Sequence, residues 1–271
     1  MRGSSRGSAK EAQAHFDAAL EQGVDGKSLS DELFAVTAVV DGSASLRRAL
    51  ADPSRDPEDR KGLARGLFSG KVAPSTADLV CEVTAQRWSR ERDLSDTLES
   101  LAVQALLATA EREGRIDRVE DELFRFERIV AGDPGLRDTL ASRNTDSAGK
   151  VRLVHELLEG KVAPETTTLA EQAVRAPRGR RLADVLESYL ALAALRRDEL
   201  TALVTVASSL TAQQQARLSS VLEAHYGKAV TLQVVHDPRV MGGIRIQVGD
   251  DVIDGTVLRR LDEARRHVTG S

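Results

Sequence analysis

Part of this chain is written twice. The run Gly-Lys-Val-Ala-Pro stands at residues 70–74 and again at 160–164, a shift of 90. Carried without gaps from Asp31–Val80 onto Asp121–Ala170, that shift gives 20 identities in 50 positions. They include Asp31/Asp121, Glu32/Glu122, Leu33/Leu123, Phe34/Phe124, Arg47/Arg137 and Leu50/Leu140. A two-residue gap then brings Asp96, Leu98, Glu99 and Ser100 onto Asp184, Leu186, Glu187 and Ser188. Chance pairing in this composition gives only a handful of such matches. The first 200 or so residues are a tandem duplication, so any fold for the chain must use one unit twice.

Each unit reads as helical. Val119, Leu123, Phe126 and Val130 fall at i, i+4, i+7 and i+11, and Leu182, Val185, Leu186 and Tyr189 hold one face near the end of the second copy. Short helices fit between the breakers Asp52-Pro53, Gly70, Gly132-Asp133-Pro134 and Gly160. In both copies the Ala-Pro of the repeated run precedes polar residues, a helix start. Leu94, Leu98, Leu101, Ala105 and Ala108 form a stripe with no Gly or Pro before Gly114. The last helix of the first copy should therefore run straight into the first helix of the second, as a stiff joint rather than a linker.

Composition supports helix packing. Aromatics are 3% of the residues, leaving Ala, Leu and Val to build the cores, which suits close-packed helices better than a large sandwich or barrel. At 271 residues the chain is long for one core. No apolar run reaches the roughly 20 residues of a membrane-spanning helix. The net charge is −4, with none of the basic surplus expected of a nucleic-acid binder. The lone Cys81 can form no internal bridge and reads as a small core residue. Residues 1–10, MRGSSRGSAK, lack an apolar segment and read as a polar, flexible tail.

The texture changes near residue 200. Leu203, Val204 and Val206 read as a strand, Thr211 to Gln214 as a capping box opening a helix to Gly227, and Val230–Val235 as a second strand. Ile244, Ile246 and Val248 alternate as a third strand, Gly249-Asp250-Asp251 turns into Val252-Ile253, and Val257, Leu261, Ala264 and Val268 mark a last helix. The expected architecture is mainly α, with two tandem six-helix-type bundles followed by a small C-terminal α/β domain. The divisions fall at residues 11–100, 101–200 and 201–271.

From Met241 to Val268 the sequence MGGIRIQVGDDVIDGTVLRRLDEARRHV resembles the C-terminal signature of the ATP synthase delta subunit family, which includes the oligomycin-sensitivity-conferring protein. The upstream run VTVASSLTAQQQARLSSVLEAHYGKAVTLQVVHDP is similar to that family's strand–helix–strand entry. The stretch from Val119 through LRDTLASRNT and VRLVHELLEGKVAP resembles its six-helix bundle, so the likeness covers about residues 102–268. The first copy is extra to the usual single bundle. A similar duplication occurs in actinobacterial relatives, some fused to a membrane-anchoring b subunit. This sequence carries no such anchor, so b is expected to be a separate chain.

The resemblance implies a non-catalytic peripheral-stalk subunit of a proton-translocating ATP synthase, at the cytoplasmic face of the plasma membrane. Its implied partners are the N-terminal helix of an alpha subunit and the b subunits, with no cofactor. A helical adaptor of another cytoplasmic complex is the alternative.

The residues themselves show no catalytic constellation. Gly66–Lys71 is too short and wrongly placed for a phosphate loop and reads as a helix C-cap. The histidines at 15, 155, 225, 236 and 267 lack metal-ligand spacing. Met241-Gly242-Gly243 reads as a tight bend rather than a ligand-hugging loop, and Asp254-Gly255 as a turn and N-cap. The resemblance makes Gly242, Gly243, Ile244, Val248, Gly249, Asp254 and Gly255 fold determinants of the tail, not an active site.

Overall fold

Twelve helices and four strands make up the described residues of the computed structural model, which are 4–142, 145–198, 200–226, 230–237, 243–248 and 251–254. The chain divides into two compact units, Met1–Ala194 and Leu195–Ser271.

The first unit contains α1 (Ser4–Glu21), α2 (Gly26–Gly42), α3 (Ala44–Ala51), α4 (Pro57–Phe68), α5 (Pro74–Ala85) and α6 (Glu91–Arg112). It continues with α7 (Ile116–Gly132), α8 (Pro134–Ala141), α9 (Ser147–Leu158), α10 (Pro164–Arg175) and α11 (Leu182–Asp198), whose residues from Leu195 on belong to the second unit. Helices α2 to α5 recur as α7 to α10 at the shift of 90. Their start signals recur too. Ser43 and Asp133 each accept the backbone N–H three residues on, capping α3 and α8, and Asp56 and Asp146 do the same two residues on for α4 and α9.

The repeated Gly-Lys-Val-Ala-Pro run has a physical reason. Gly70 and Gly160 adopt φ of +75° and +69°, the left-handed conformation that ends α4 and α9 and that glycine adopts at least cost. Pro74 and Pro164 then open α5 and α10, where the missing N–H is no loss. Between them the chain is tied to α2 or α7 by the repeated glutamate. Glu122 accepts the Ala163 N–H and the Thr166 hydroxyl, both at 2.7 Å. Glu32 accepts the Ala73 N–H at 2.9 Å and the Thr76 hydroxyl. Glutamate, loop and threonine repeat together because they are one interaction. Burial opposes ionisation of Glu122, but these donors and Arg118 outweigh it and hold its pKa below the usual value.

Helix α6 departs from the one-faced pattern of α7, which follows it. On α7 the buried residues are Val119, Leu123, Phe126 and Val130, a single stripe. On α6, Val103, Leu106 and Leu107 are as buried as the Leu94–Ala108 stripe, so the helix is covered nearly all round. The continuity expected across the joint is present, in a tighter form. A single helix closes the first set and opens the second, which gives five helices, a shared one and five more. It stops at Arg112, and Gly114 (φ +65°) turns the chain into α7.

The N-terminal tail is corrected. From Ser4 onward the segment is helix, with Ser5 and Ser8 buried. The Ser5 hydroxyl donates to Asp93 at 2.7 Å and receives the Ser89 N–H, while Ser8 donates to the Arg87 carbonyl. Small hydroxyl residues let α1 lie close to the chain entering α6, and each hydroxyl finds a buried partner.

The second unit has its own core. Strands β1 (Leu200–Val206), β2 (Val230–His236), β3 (Ile244–Val248) and β4 (Asp251–Asp254) form a sheet in the order β2-β1-β3-β4. Strands β1 and β2 are parallel, and the other pairs are antiparallel. The parallel pair needs a crossover, supplied by α12 (Ala212–Tyr226). Thr211 and Gln214 form a reciprocal capping box at its start, the Thr211 N–H reaching Gln214 Oε1 at 2.8 Å. Ala202, Val204, Val206, Leu222, Val230, Ile246 and Val248 are buried together. The last helix expected over Val257–Val268 lies outside the described residues.

Candidate functional site

The densest polar structure in the first unit surrounds α6. Glu99, almost fully buried, accepts Arg178 Nη1 at 2.7 Å, Arg180 Nη2 at 2.6 Å and the Tyr189 hydroxyl at 3.0 Å. Arg178 also donates to Asp96 at 2.6 Å and to the Ser95 carbonyl and hydroxyl, and it forms an ion pair with Asp41 at the end of α2. Asp41 is in turn 3.6 Å from Arg47 of α3. One arginine from the α10–α11 connection thus clasps α6 to a helix of the first copy.

The clasp is set by geometry as much as by charge. Arg178 sits at φ +55°, an uncommon conformation for a residue with a side chain. This backbone costs about 1 kcal/mol or more, against several charge-assisted hydrogen bonds. Burial works against the Arg178 charge, but Glu99, Asp41 and Asp96 outweigh it and raise its pKa. Burial pushes the Tyr189 hydroxyl well above its ordinary value, with Glu99 adding to the shift, so it stays protonated and donates.

A second buried cation, Arg60, is satisfied differently. Its Nε donates to the Thr84 carbonyl, Nη1 to those of Asp52 and, weakly, Arg55, and Nη2 to that of Ala85. It pins α4 to the end of α5, and burial lowers its pKa. Among the described residues no carboxylate makes an ion pair with it, and Asp52 and Asp56 offset the burial only in part.

The tail residues singled out above fall in or beside the sheet. Gly243 has φ +87° and leads into β3, Ile244 pairs with Val206, and Val248 is buried opposite Ala202 and Asp251. Asp254 closes β4 opposite Arg245. Gly242, Gly249 and Gly255 lie outside the described residues. Gly70 does end a helix, and Cys81 is buried with its thiol 3.6 Å from the Lys61 carbonyl. Among the described residues no three His, Cys, Asp or Glu side chains converge as a metal site would require, and no helix is long and apolar enough to cross a membrane.

The Arg178–Glu99 clasp leaves no mark in the repeat because it belongs to one copy only. Asp41 has Ala131 at its repeat position, and Arg178 belongs to the gapped region. Its one signal was the arginine-rich run Arg178-Gly-Arg-Arg181 within that gapped region.

The model of the ATP synthase delta (OSCP) subunit family matches twice, at residues 9–102 and 102–268, and the two matches meet inside α6. The chain belongs to that family. Relatives of the same length agree. It is 44% identical to the ATP synthase subunit delta of Kineococcus radiotolerans over 99% of this chain and 98% of the relative. Identity to the Beutenbergia cavernae subunit delta is 44% over the whole of both chains. For the Streptomyces avermitilis subunit delta it is 45% over 98% of each. As an OSCP-family chain the protein carries the family's helical region twice and its α/β tail once.

Proposed function

We propose that this chain is the delta subunit of a proton-translocating ATP synthase, a non-catalytic part of the peripheral stalk that joins the catalytic head to membrane-anchored b subunits. The observation that carries the reading is the pair of family matches meeting within one buried helix. A stator must hold the head still against the rotor, and stiffness rather than chemistry does that work. Helix α6, covered on both sides and clasped by Arg178, has the stiffness required.

In this reading a helical bundle receives the amphipathic N-terminal helix of an alpha subunit, whose apolar face fills a groove between helices. The α/β unit takes the C-terminal ends of the b subunits at the cytoplasmic face of the plasma membrane. Two moderate contacts on one chain give slow loss from the complex. The first copy acts as a brace that lengthens the rigid body. Gly242, Gly243, Ile244, Val248, Gly249, Asp254 and Gly255 shape the tail and touch no substrate; for Gly243 the positive φ supports that role.

Titration calorimetry tests the linkage. The full chain is expected to bind a peptide of the alpha N-terminus and, independently, a soluble C-terminal fragment of b, with the second affinity unchanged by the first ligand. Absence of both heats would defeat the stalk reading in favour of an adaptor of another complex.

A further inference from the structure

The second copy contains a cavity of about 570 Å³ bounded by the ends of α7, α8 and α10 and the starts of α9 and α11. Its walls include Val130, Leu140, Ala173, Val174 and Leu186, all buried apolar residues. Into this apolar space comes Lys150, with only 8% of its surface exposed. No hydrogen-bond or ion-pair partner for Lys150 exists among the described residues; Glu127 also lines the cavity but makes no ion pair with it. With its stem buried and no acceptor in the protein, the Lys150 ammonium is left to water or to an anion that enters the cavity.

The duplication supplies an internal control. Lys150 occupies the position of Arg60, which in the first copy is consumed by four backbone carbonyls. There, the buried Trp88 fills the connection between α5 and α6, whereas the matching connection, residues 176–181, has no aromatic residue. The open depression near Trp88 is not lined by Arg60. In the second copy, Ser147 takes the Arg175 carbonyl, the counterpart of an Arg60 acceptor. The depression of the first copy, about 510 Å³, thus stops short of a cation that the backbone already satisfies, while the cavity of the second reaches one with no protein acceptor.

We propose that this cavity binds a small amphiphilic monocarboxylate, the carboxylate meeting Lys150 and the apolar chain lying against Val130, Leu140, Ala173 and Leu186. The volume lies in the range of small-ligand sites. A helix laid on the surface would leave the cavity and Lys150 unfilled. Among the lining residues Arg137, Arg180 and Arg181 outnumber Glu127, which favours an anion. Arg180 is held by Glu99, Arg181 by Asp184 and Arg137 by Asp138, which leaves Lys150 as the lining cation without a carboxylate.

Calorimetry on the full chain, with decanoate below its micelle concentration and decyltrimethylammonium as the control of opposite charge, tests the assignment. Decanoate should bind at one site and the cation should not. Lys150→Met should weaken decanoate roughly tenfold or more, the loss of one charge-assisted bond. Ala173→Leu, which keeps the charge and fills the space, should abolish binding and raise the thermal midpoint. No decanoate binding to the natural chain, equal decanoate binding by all three proteins, or equally tight binding of the cation would overturn the proposal. Were Lys150→Met to unfold, the Ala173→Leu comparison would still decide.

Discussion

Replacing Glu99 with alanine should cost about 3–5 kcal/mol of stability, read as a lower urea midpoint with an unchanged slope. The size follows from what is left behind. Glu99 is nearly inaccessible and holds Arg178, Arg180 and the Tyr189 hydroxyl at once. Without it, Arg178 keeps Asp96 and Asp41, but Arg180 loses both of its carboxylate hydrogen bonds and Tyr189 its acceptor. Loss of an acceptor for a buried donor is the expensive case, dearer than never having had the pair. Glu99→Gln keeps an acceptor and should lose less. A loss under about 1 kcal/mol for Glu99→Ala would mean that the clasp is an ordinary solvated ion pair.

Leu106→Ala in α6 should have a comparable effect, about 2–5 kcal/mol, from lost transfer energy and the cavity left behind. Leu106 is 1% exposed and belongs to a hydrophobic cluster that runs unbroken from Ala12 and Phe16 through α6 to Tyr189 and Ala193. The distinctive expectation concerns where the damage is felt. With one helix completing both copies, amides in α2 and in α7 should lose hydrogen-exchange protection together, as one cooperative unit. Loss of protection in only one copy would show that the copies fold independently and that α6 is merely adjacent to the other.

The repeat made most of this fold legible. Helix starts at Pro74 and Pro164, the stops at Gly70 and Gly160, and the alternation of Ile244, Ile246 and Val248 are local chemistry that a single sequence displays. Other features depend on what packs against what. Phe34 and Phe124 share a repeat position, yet the first is 7% exposed and the second 53%. Helix α6 reads as one stripe because its other buried face, with Val103, Leu106 and Leu107, matters only where a second set of helices covers it. The tail residues Ser5 and Ser8 look like solvated polar positions, and only their partners Asp93 and the Arg87 carbonyl make them internal. Lys150 likewise reads as a surface lysine. Its burial comes from the ends of helices that are distant in sequence.

A stator account is tested most directly by ATP-driven proton pumping in membrane vesicles whose ATP synthase lacks its delta subunit. Without this chain, the account predicts that ATP is hydrolysed while the vesicle interior fails to acidify; adding the full chain back should restore pumping in step with hydrolysis. Pumping that is equally strong with and without the chain would contradict it.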